Sequence, residues 1–528
     1  MFRILSASKD TYITNKYIAG TRSLGSNVGQ AGTLDLFKLY NETFISVSAS
    51  VSGVIEQSRL LVQFDLAPLV ALTASKLNIT DASFKCYLNL KDVYGGQTTP
   101  SNFTIRLMPL SKSWDEGRGS DVIAFRDLDI ANYVTASVSG GAPDIWNTQG
   151  AGASGSLDAT NLDVVTSGNL GSGLIDLTVS QFFTRGDEDL LMDVTTLVSA
   201  AICGRLPNKG WRISFSETEE NDTTTRFVKR FGTRHTNDKT LRPKLLVKYN
   251  DRIRDDSGEL EFNSAQTVFF YNFVNGTYTN FVSGASSITG SNSSILRLIA
   301  SKSIAYATSS WSISHSASIN HTTRSLYVIT QSFSASQYAI NSFAQTGIYS
   351  SSINLNLATN TIVRDFMSGG LEQKFRFELV SVDGTFPYAN GYYTFKSPLG
   401  GTSNVRERNW VTNITNLKQT YTNAETSRLR VFVQDYNTDY IAQRVVSPTK
   451  SVILTNLKWR LIKAYSKDIV IPFDDVATLC STDADGMYFD FYMADLDPGE
   501  VYEFELMITE NGSDYYINNA GFRFRVMP

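Results

Sequence analysis

Between Ser58 and Leu69 the chain reads SRLLVQFDLAPL, and its side chains alternate. Leu60, Val62, Phe64 and Leu66 fall on one side; Arg59, Leu61, Gln63 and Asp65 fall on the other. That is the period of a half-buried β-strand, and Pro68, which cannot donate to a ladder, ends it. Arg59 and Asp65 share a face, but six extended residues hold them roughly 20 Å apart. They therefore serve different neighbours. The same reading suits SFKCYLNL, RLRVFVQDY, DGMYFDFYM and EVYEFELMI. Aromatic residues make up 12% of the sequence, which favours strands over helices. The expectation is an all-β protein.

A chain of 528 residues is too long for one hydrophobic core. Residues 1–250 read as one unit of short strands that closes on LRPKLLVKYN, and the polar run from residue 251 to 258 reads as a linker. Residues 259–400 form a second β-domain of unassigned type, and 401–528 a third, Ig-like sandwich. One helix is predicted, over Leu191–Gly204, with Asp193 or Thr195 at its start and Leu197, Val198, Ala201 and Ile202 as its buried stripe. Ser137–Gly173, rich in Gly, Ser and Ala, reads as a long surface excursion. Asn275-Gly276 and Asn390-Gly391 are hairpin signals. Asp485-Gly486, Asp497-Pro498-Gly499 and Asn511-Gly512 are turns between the last strands.

The net charge of -4 gives no basic footprint for nucleic acid. No segment approaches the ~20 apolar residues of a spanning helix, and the N-terminal MFRILSASKDTYITNKY lacks a signal-peptide core. Membrane insertion is not expected, and synthesis is expected in a cytosol. Cys86, Cys203 and Cys480 are scattered, with no zinc or redox spacing. Cys86 shares a face with Phe84, Leu88 and Leu90 and reads as a small core residue. His315 and His321 are ~20 Å apart along one strand, too far to share a metal. His235 has no nucleophile motif to serve. Counted from Asp483, STDADGMYFD has Tyr488 where a calcium loop needs Gly and Ala494 where it needs Glu. SWDEGRGSD offers Asp115, Glu116 and Asp121 to a cation. No catalytic residue, cofactor site or metal site is assigned, and folding is expected to need no metal. Trp146, in a loop with few apolar neighbours, and Tyr133 are the candidates for stacking on sugar rings.

The first unit resembles the DNRLRE-domain family of jelly-roll-like β-sandwich modules. The likeness runs in order through DTYI, SNVGQAGTLDL, RLLVQFDL, the Trp turn SWDEG, MDVTTLV, WRISFS and the closing RFGTRHTNDKTLRPKLLVKY. It implies framework roles for Arg59, Phe64, Asp65, Trp114 and Arg242, with Arg59 and Asp65 fixing neighbouring loops. The family's S-R-E reads Thr233-Arg234-His235 here, so that glutamate has no counterpart.

Some DNRLRE-like modules bind polysaccharides, and others occur in bacteriophage particles. The long form here looks like the phage version, and DIVIPFDD…DADGMYFDFYMADLDPGEVYEFELMITENG is similar to the C-terminal domain of phage structural proteins. The resemblance implies a non-enzymatic virion protein, made in the host cytoplasm, of the tail, baseplate or neck. Its partners would be other virion proteins and symmetric copies of itself. The alternatives are a carbohydrate-binding adsorption protein that recognises a host glycan, and a capsid decoration protein.

Overall fold

The computed structural model describes the chain apart from residues 45–50, 74–75, 95–98, 124–129, 172, 259, 276, 305–312, 320–321, 341–342, 358–371, 397–408, 437–450, 455, 484, 511–512 and 518–520. The protein is nearly all β and multi-domain, as expected. It divides into two compact units, Phe2–Tyr249 and, with Met1, Asn250–Pro528.

In Phe2–Tyr249 a ten-stranded sheet turns on its first strand, Phe2–Thr14. Its first half, Phe2–Ser6, pairs with Lys248–Lys244 near the end of the unit. After a register shift between Ala7 and Lys9 its second half pairs with Phe64–Ser58. A shift of this kind bends a strand and re-aims its side chains, so one strand serves two stretches of sheet. The strand Val51–Phe64 also changes partner, joining Thr33–Phe44 through Val51–Gln57. The sequence read it as half-buried, yet Leu60, Leu61 and Val62 are all sealed from solvent. It is covered on both faces. Phe64 meets the Trp211 ring at 5.6 Å on one side, while Leu61 joins Trp114, Tyr133 and Trp146 on the other.

This strand ends at Phe64, earlier than Pro68, and the chain turns into a short helix, Ala67–Leu72. Proline is at home in a first helical turn, where its missing N–H would go unbonded anyway. The exposed Asp65 shapes the approach: its Oδ1 accepts the Ala67 N–H at 2.9 Å. The predicted helix over Leu191–Gly204 is shorter than expected. Leu190–Asp193 is a strand and Thr195–Ile202 the helix, burying Leu197, Val198 and Ala200. A third helix, Glu217–Asn221, starts on a reciprocal Ser216–Glu219 capping box.

Among the described residues the second unit holds an eight-stranded sheet, a four-stranded sheet, a six-stranded sheet and two two-stranded hairpins. The eight-stranded sheet runs from Leu260–Glu261 through Pro387–Lys396, Glu372–Ser381, Ser294–Ile304, Thr322–Ile340 and Phe343–Asn354 to Ala265–Tyr271. Its core gathers Phe262, Phe270, Leu296, Leu298, Phe375 and Phe395. Asn390-Gly391 is not a hairpin: both residues lie inside Pro387–Lys396. A Cβ on Gly391 would come within 2.6 Å of the Phe377 ring, so this glycine makes room for a cross-strand aromatic. The turn falls at Gly384, with φ +76°. At Asn275, φ 50°, the predicted hairpin is present between Phe273–Val274 and Thr277–Tyr278, with Gly276 outside the described residues. Beyond residue 410, Trp410–Ile414, Thr426–Asp435, Gly486–Tyr492 and Ser481–Asp483 make a four-stranded sheet. The six-stranded sheet is built around Val501–Glu510. Trp459 of the six-stranded sheet stacks on Phe489 of the four-stranded sheet at 4.9 Å.

The expected linker is tightly held. Asp255 is fully buried and donates its N–H to Thr482 Oγ1, while its Oδ1 accepts from the N–H groups of Ser257 and Phe269. A polar run reads as solvated when the partners that hold it lie outside it, in this case as far along the chain as Thr482. Here it straps strand Ala265–Tyr271 to the hairpin around Thr482.

Two predictions follow from this packing. Phe64→Ala should destabilise Phe2–Tyr249 by ~3–5 kcal/mol, the cost of a buried aromatic cavity; denaturant melts of the full chain read it. Burial raises the Asp255 carboxyl from its ordinary 3.8 to about 6, against the hydrogen bonds that pull it down. Between those values the folded chain holds a proton that the unfolded chain has released. This group's contribution to stability therefore falls as pH rises from about 4 to 6 and is level above that. Asp255→Asn should flatten that part of the pH profile of unfolding; an unchanged slope would count against it.

Candidate functional site

Asn27 organises the loops at one end of Phe2–Tyr249. It is sealed from solvent and uses both ends of its amide. Nδ2 donates to the carbonyls of Glu116 and Ala131, and Oδ1 accepts the N–H groups of Gly29 and Gly119. The glycines of SNVGQAG and DEGRG permit this. A Cβ on Gly29 would lie 2.1 Å from the Glu116 carbonyl, and one on Gly119 1.7 Å from the Asn27 carbonyl. Two loops lie backbone against backbone, and Glu116 is fixed between them.

Glu116 faces a cluster that no sequence spacing announced. Its Oε1 accepts the Asp10 N–H at 2.9 Å and Arg234 Nε at 2.7 Å, and its Oε2 accepts Arg234 Nη2 at 2.7 Å. The Arg234 N–H donates to Asp10 Oδ2 at 2.5 Å. His235 brings Nε2 to 3.4 Å from Glu116 Oε1. Its own N–H is held by Thr233 Oγ1, which in turn donates to the Ala31 carbonyl. Burial, reinforced by the Glu116 charge, raises the Asp10 carboxyl to about 7 against the pull of the Arg234 N–H and guanidinium. One ligand atom from each of Asp10, Glu116 and His235 lies within 4.8 Å of the others. The sequence had grouped Glu116 with Asp115 and Asp121, but Asp115 turns out to Lys9 and Asp121 accepts the Ile123 N–H. His315 lies in a strand whose side chains fall outside the described residues there, and His321 is outside them altogether.

Trp146 and Tyr133, expected as sugar-stacking residues, are core. Trp146 is 3% exposed and donates Nε1 to the Asn132 carbonyl; Tyr133 is 6% exposed, and its hydroxyl takes hydrogen bonds from Asn15 and Gln57. Both pack against Ile13, Leu61, Trp114 and Val164. Polar sequence neighbours disguised them, because their apolar surroundings come from four other segments. Trp114 is buried in the same cluster and donates to the Lys209 carbonyl. Arg242 donates to the Thr236 carbonyl, steadying the turn after His235.

The excursion Ser137–Gly173 is built structure. It contains the strands Ala142–Ile145, Ser154–Ser156 and Val164–Asn169. Asp163, fully buried, accepts the N–H groups of Asn147, Thr148 and Ala153 at 2.8, 2.9 and 3.0 Å. Beneath it Arg59 grips Glu220 through Nε and Nη2 at 2.9 and 2.7 Å and donates Nη1 to the Gly150 carbonyl at 2.7 Å. Burial opposes the Arg59 charge, but Glu220 more than offsets this and raises its pKa. Arg212, also buried, donates to the Ala151 carbonyl; burial and the Arg59 charge push its pKa down to about 9.

No family model and no curated protein sequence matches the chain. Among solved structures it overlays on trypsin-activated alpha-2-macroglobulin from Escherichia coli over its whole length, at 10% identity and a TM-score of 0.15. It overlays on the native conformation of the same E. coli protein over 99% of its length, at 8% and 0.12, and on Salmonella alpha-2-macroglobulin reacted with methylamine at 8% and 0.13. The chain spans about 30% of the length of those proteins. Overlap this loose carries no argument about topology or function.

Asp163→Ala should leave three backbone donors unpaired and cost about 3 kcal/mol or more. Limited proteolysis of the purified chain is expected to spare 147–163 in the wild type and to cut there in the variant. Cutting at equal rates would show that Asp163 does not hold the excursion.

Proposed function

We propose that the chain is a non-enzymatic structural protein of a bacteriophage particle, placed in its tail, baseplate or neck, that acts by docking on other virion proteins and on symmetric copies of itself. The ordered run of DNRLRE-like segments and the phage-like C-terminal sequence support the setting. One structural observation carries the docking role. Two short hairpins of the second unit, Phe273–Tyr278 and Val282–Ser287, display Phe273, Val274, Tyr278 and Val282 at 60, 46, 47 and 58% exposure. Phe273 and Tyr278, paired across one hairpin, form an exposed apolar surface of the kind that marks interaction sites, with Val274 and Val282 exposed nearby in sequence. The Phe273 and Tyr278 rings sit edge to face at 5.1 Å, already arranged as an anchor.

The adsorption reading loses its two named residues, since Trp146 and Tyr133 are spent inside the core. A capsid location would use the same hairpins on a different neighbour. Cross-linking mass spectrometry of intact particles separates these sites through the partner identified.

The double variant Phe273→Asp/Tyr278→Asp should fold normally, because both side chains are already exposed, and should fail to enter particles. Circular dichroism checks folding, and mass spectrometry of purified virions measures incorporation. Incorporation at the wild-type level would remove these hairpins as the docking surface.

A further inference from the structure

Asp10, Glu116 and His235 come from three distant segments, yet one metal-ligating atom from each lies within 4.8 Å of the others. Most of their polar atoms are already engaged. Asp10 Oδ2 is taken by the Arg234 N–H, Glu116 Oε2 by Arg234 Nη2, Glu116 Oε1 by the Asp10 N–H and Arg234 Nε, and the His235 backbone by Thr233. What remains inside is Asp10 Oδ1 and His235 Nε2, both buried atoms without a hydrogen-bond partner among the described residues. Asp10 itself is sealed from solvent. A buried carboxylate oxygen with no donor is costly, and His235 Nε2 stands 3.4 Å from Glu116 Oε1 without a hydrogen bond. An electrophile here would satisfy Asp10 Oδ1 and His235 Nε2 together and would share Glu116 Oε1 with the two donors it already has.

We propose that Asp10, Glu116 and His235 form a binding site for a divalent cation of the zinc class. Metal–ligand bonds of ~2.1 Å in tetrahedral array set ligand atoms ~3.4 Å apart, which is the separation of His235 Nε2 from Glu116 Oε1. Asp10 supplies the third ligand from within 4.8 Å of these two atoms, and water completes the fourth position. The imidazole decides the class: calcium and magnesium take oxygen ligands, whereas nitrogen with carboxylate suits zinc and its transition-metal neighbours. Arg234 has the place of an outer partner that orients a ligating carboxylate. Its positive charge, and that of Arg242 acting on Asp10, oppose a second cation. Affinity is therefore expected in the micromolar range, about −8 kcal/mol, weaker than that of structural zinc sites. The site adds to the fold without being needed for it.

The test is calorimetric titration of the full chain with zinc sulphate at pH 7.5 after treatment with a chelator. It is made in a Cys203→Ser background, since Cys203 is exposed and offers zinc a competing thiolate. One zinc per chain is expected, with affinity at least tenfold lower in His235→Ala and in the isosteric Asp10→Asn. Millimolar calcium or magnesium should not compete. His235 is partly exposed, so its alanine variant is expected to fold, and circular dichroism checks this. In the unmutated site, zinc should shift the ring resonances of one of the chain's three histidines. Binding that persists undiminished in His235→Ala, no heat up to millimolar zinc, or histidine resonances that do not move would each overturn the site.

Discussion

The first unit depends on the ion pair between Arg59 and Glu220. Both side chains are about nine-tenths withdrawn from water, so each charge is tolerated only because the other is present. The geometry is two-pronged, which restricts where the chains carrying it can lie. Arg59 belongs to the central strand, Glu220 to the capped helix after Phe215, and Arg59's remaining contact is the Gly150 carbonyl of the excursion. Three segments with no sequence proximity are thereby fixed to one guanidinium. Asp163 then gathers the backbone just beyond Gly150, and Trp146 closes the apolar space between. Without the ion pair, the surface from which the excursion is built would have no floor.

Much of the fold was legible because alternation is local. Strands such as Trp211–Phe215 and Gly486–Tyr492 announce themselves within seven residues, and the turns at Asn275 and Gly499 need positive φ that their residue types supply. What failed did so where local residues serve distant partners. Gly391 reads as a turn because glycine follows asparagine, but its lack of a side chain accommodates Phe377 from the next strand. Trp146 reads as exposed because its sequence neighbours are polar, yet Ile13, Leu61 and Trp114 cover it. Ser216-x-x-Glu219 was a readable capping signal for the third helix. Asp10, Glu116 and His235 offered no such signal. More than a hundred residues separate each from the next, and only the bend after Ala7 and the glycine-rich loops bring them together.

Both units bury charged side chains; in the second, Glu503 lies with Lys467 and Arg523, and Asp483 with Arg430. Phe2–Tyr249 buries charge in specific pairs: Arg59 with Glu220, Lys229 with Asp92 at 2.5 Å, and Lys38 with Asp222. Lys229 is enclosed by the Phe183 and Phe231 rings and also donates to two backbone carbonyls. In the second unit the hydrophobic centres are aromatic stacks, such as Trp459 with Phe489 and Phe377 with Tyr393.

The opening strand carries a consequence in time. Phe2–Ser6 has its partner at Lys244–Lys248, so during synthesis the opening residues of this unit wait for nearly its last. At ~5–20 residues per second that interval is about 12–50 s. Throughout it Phe2 and Ile4, both destined for the core, belong to a strand with one side unmatched. The nascent chain thus carries an adhesive strip for most of the unit's synthesis, and crowding of several ribosomes on one message would bring such strips from identical chains together.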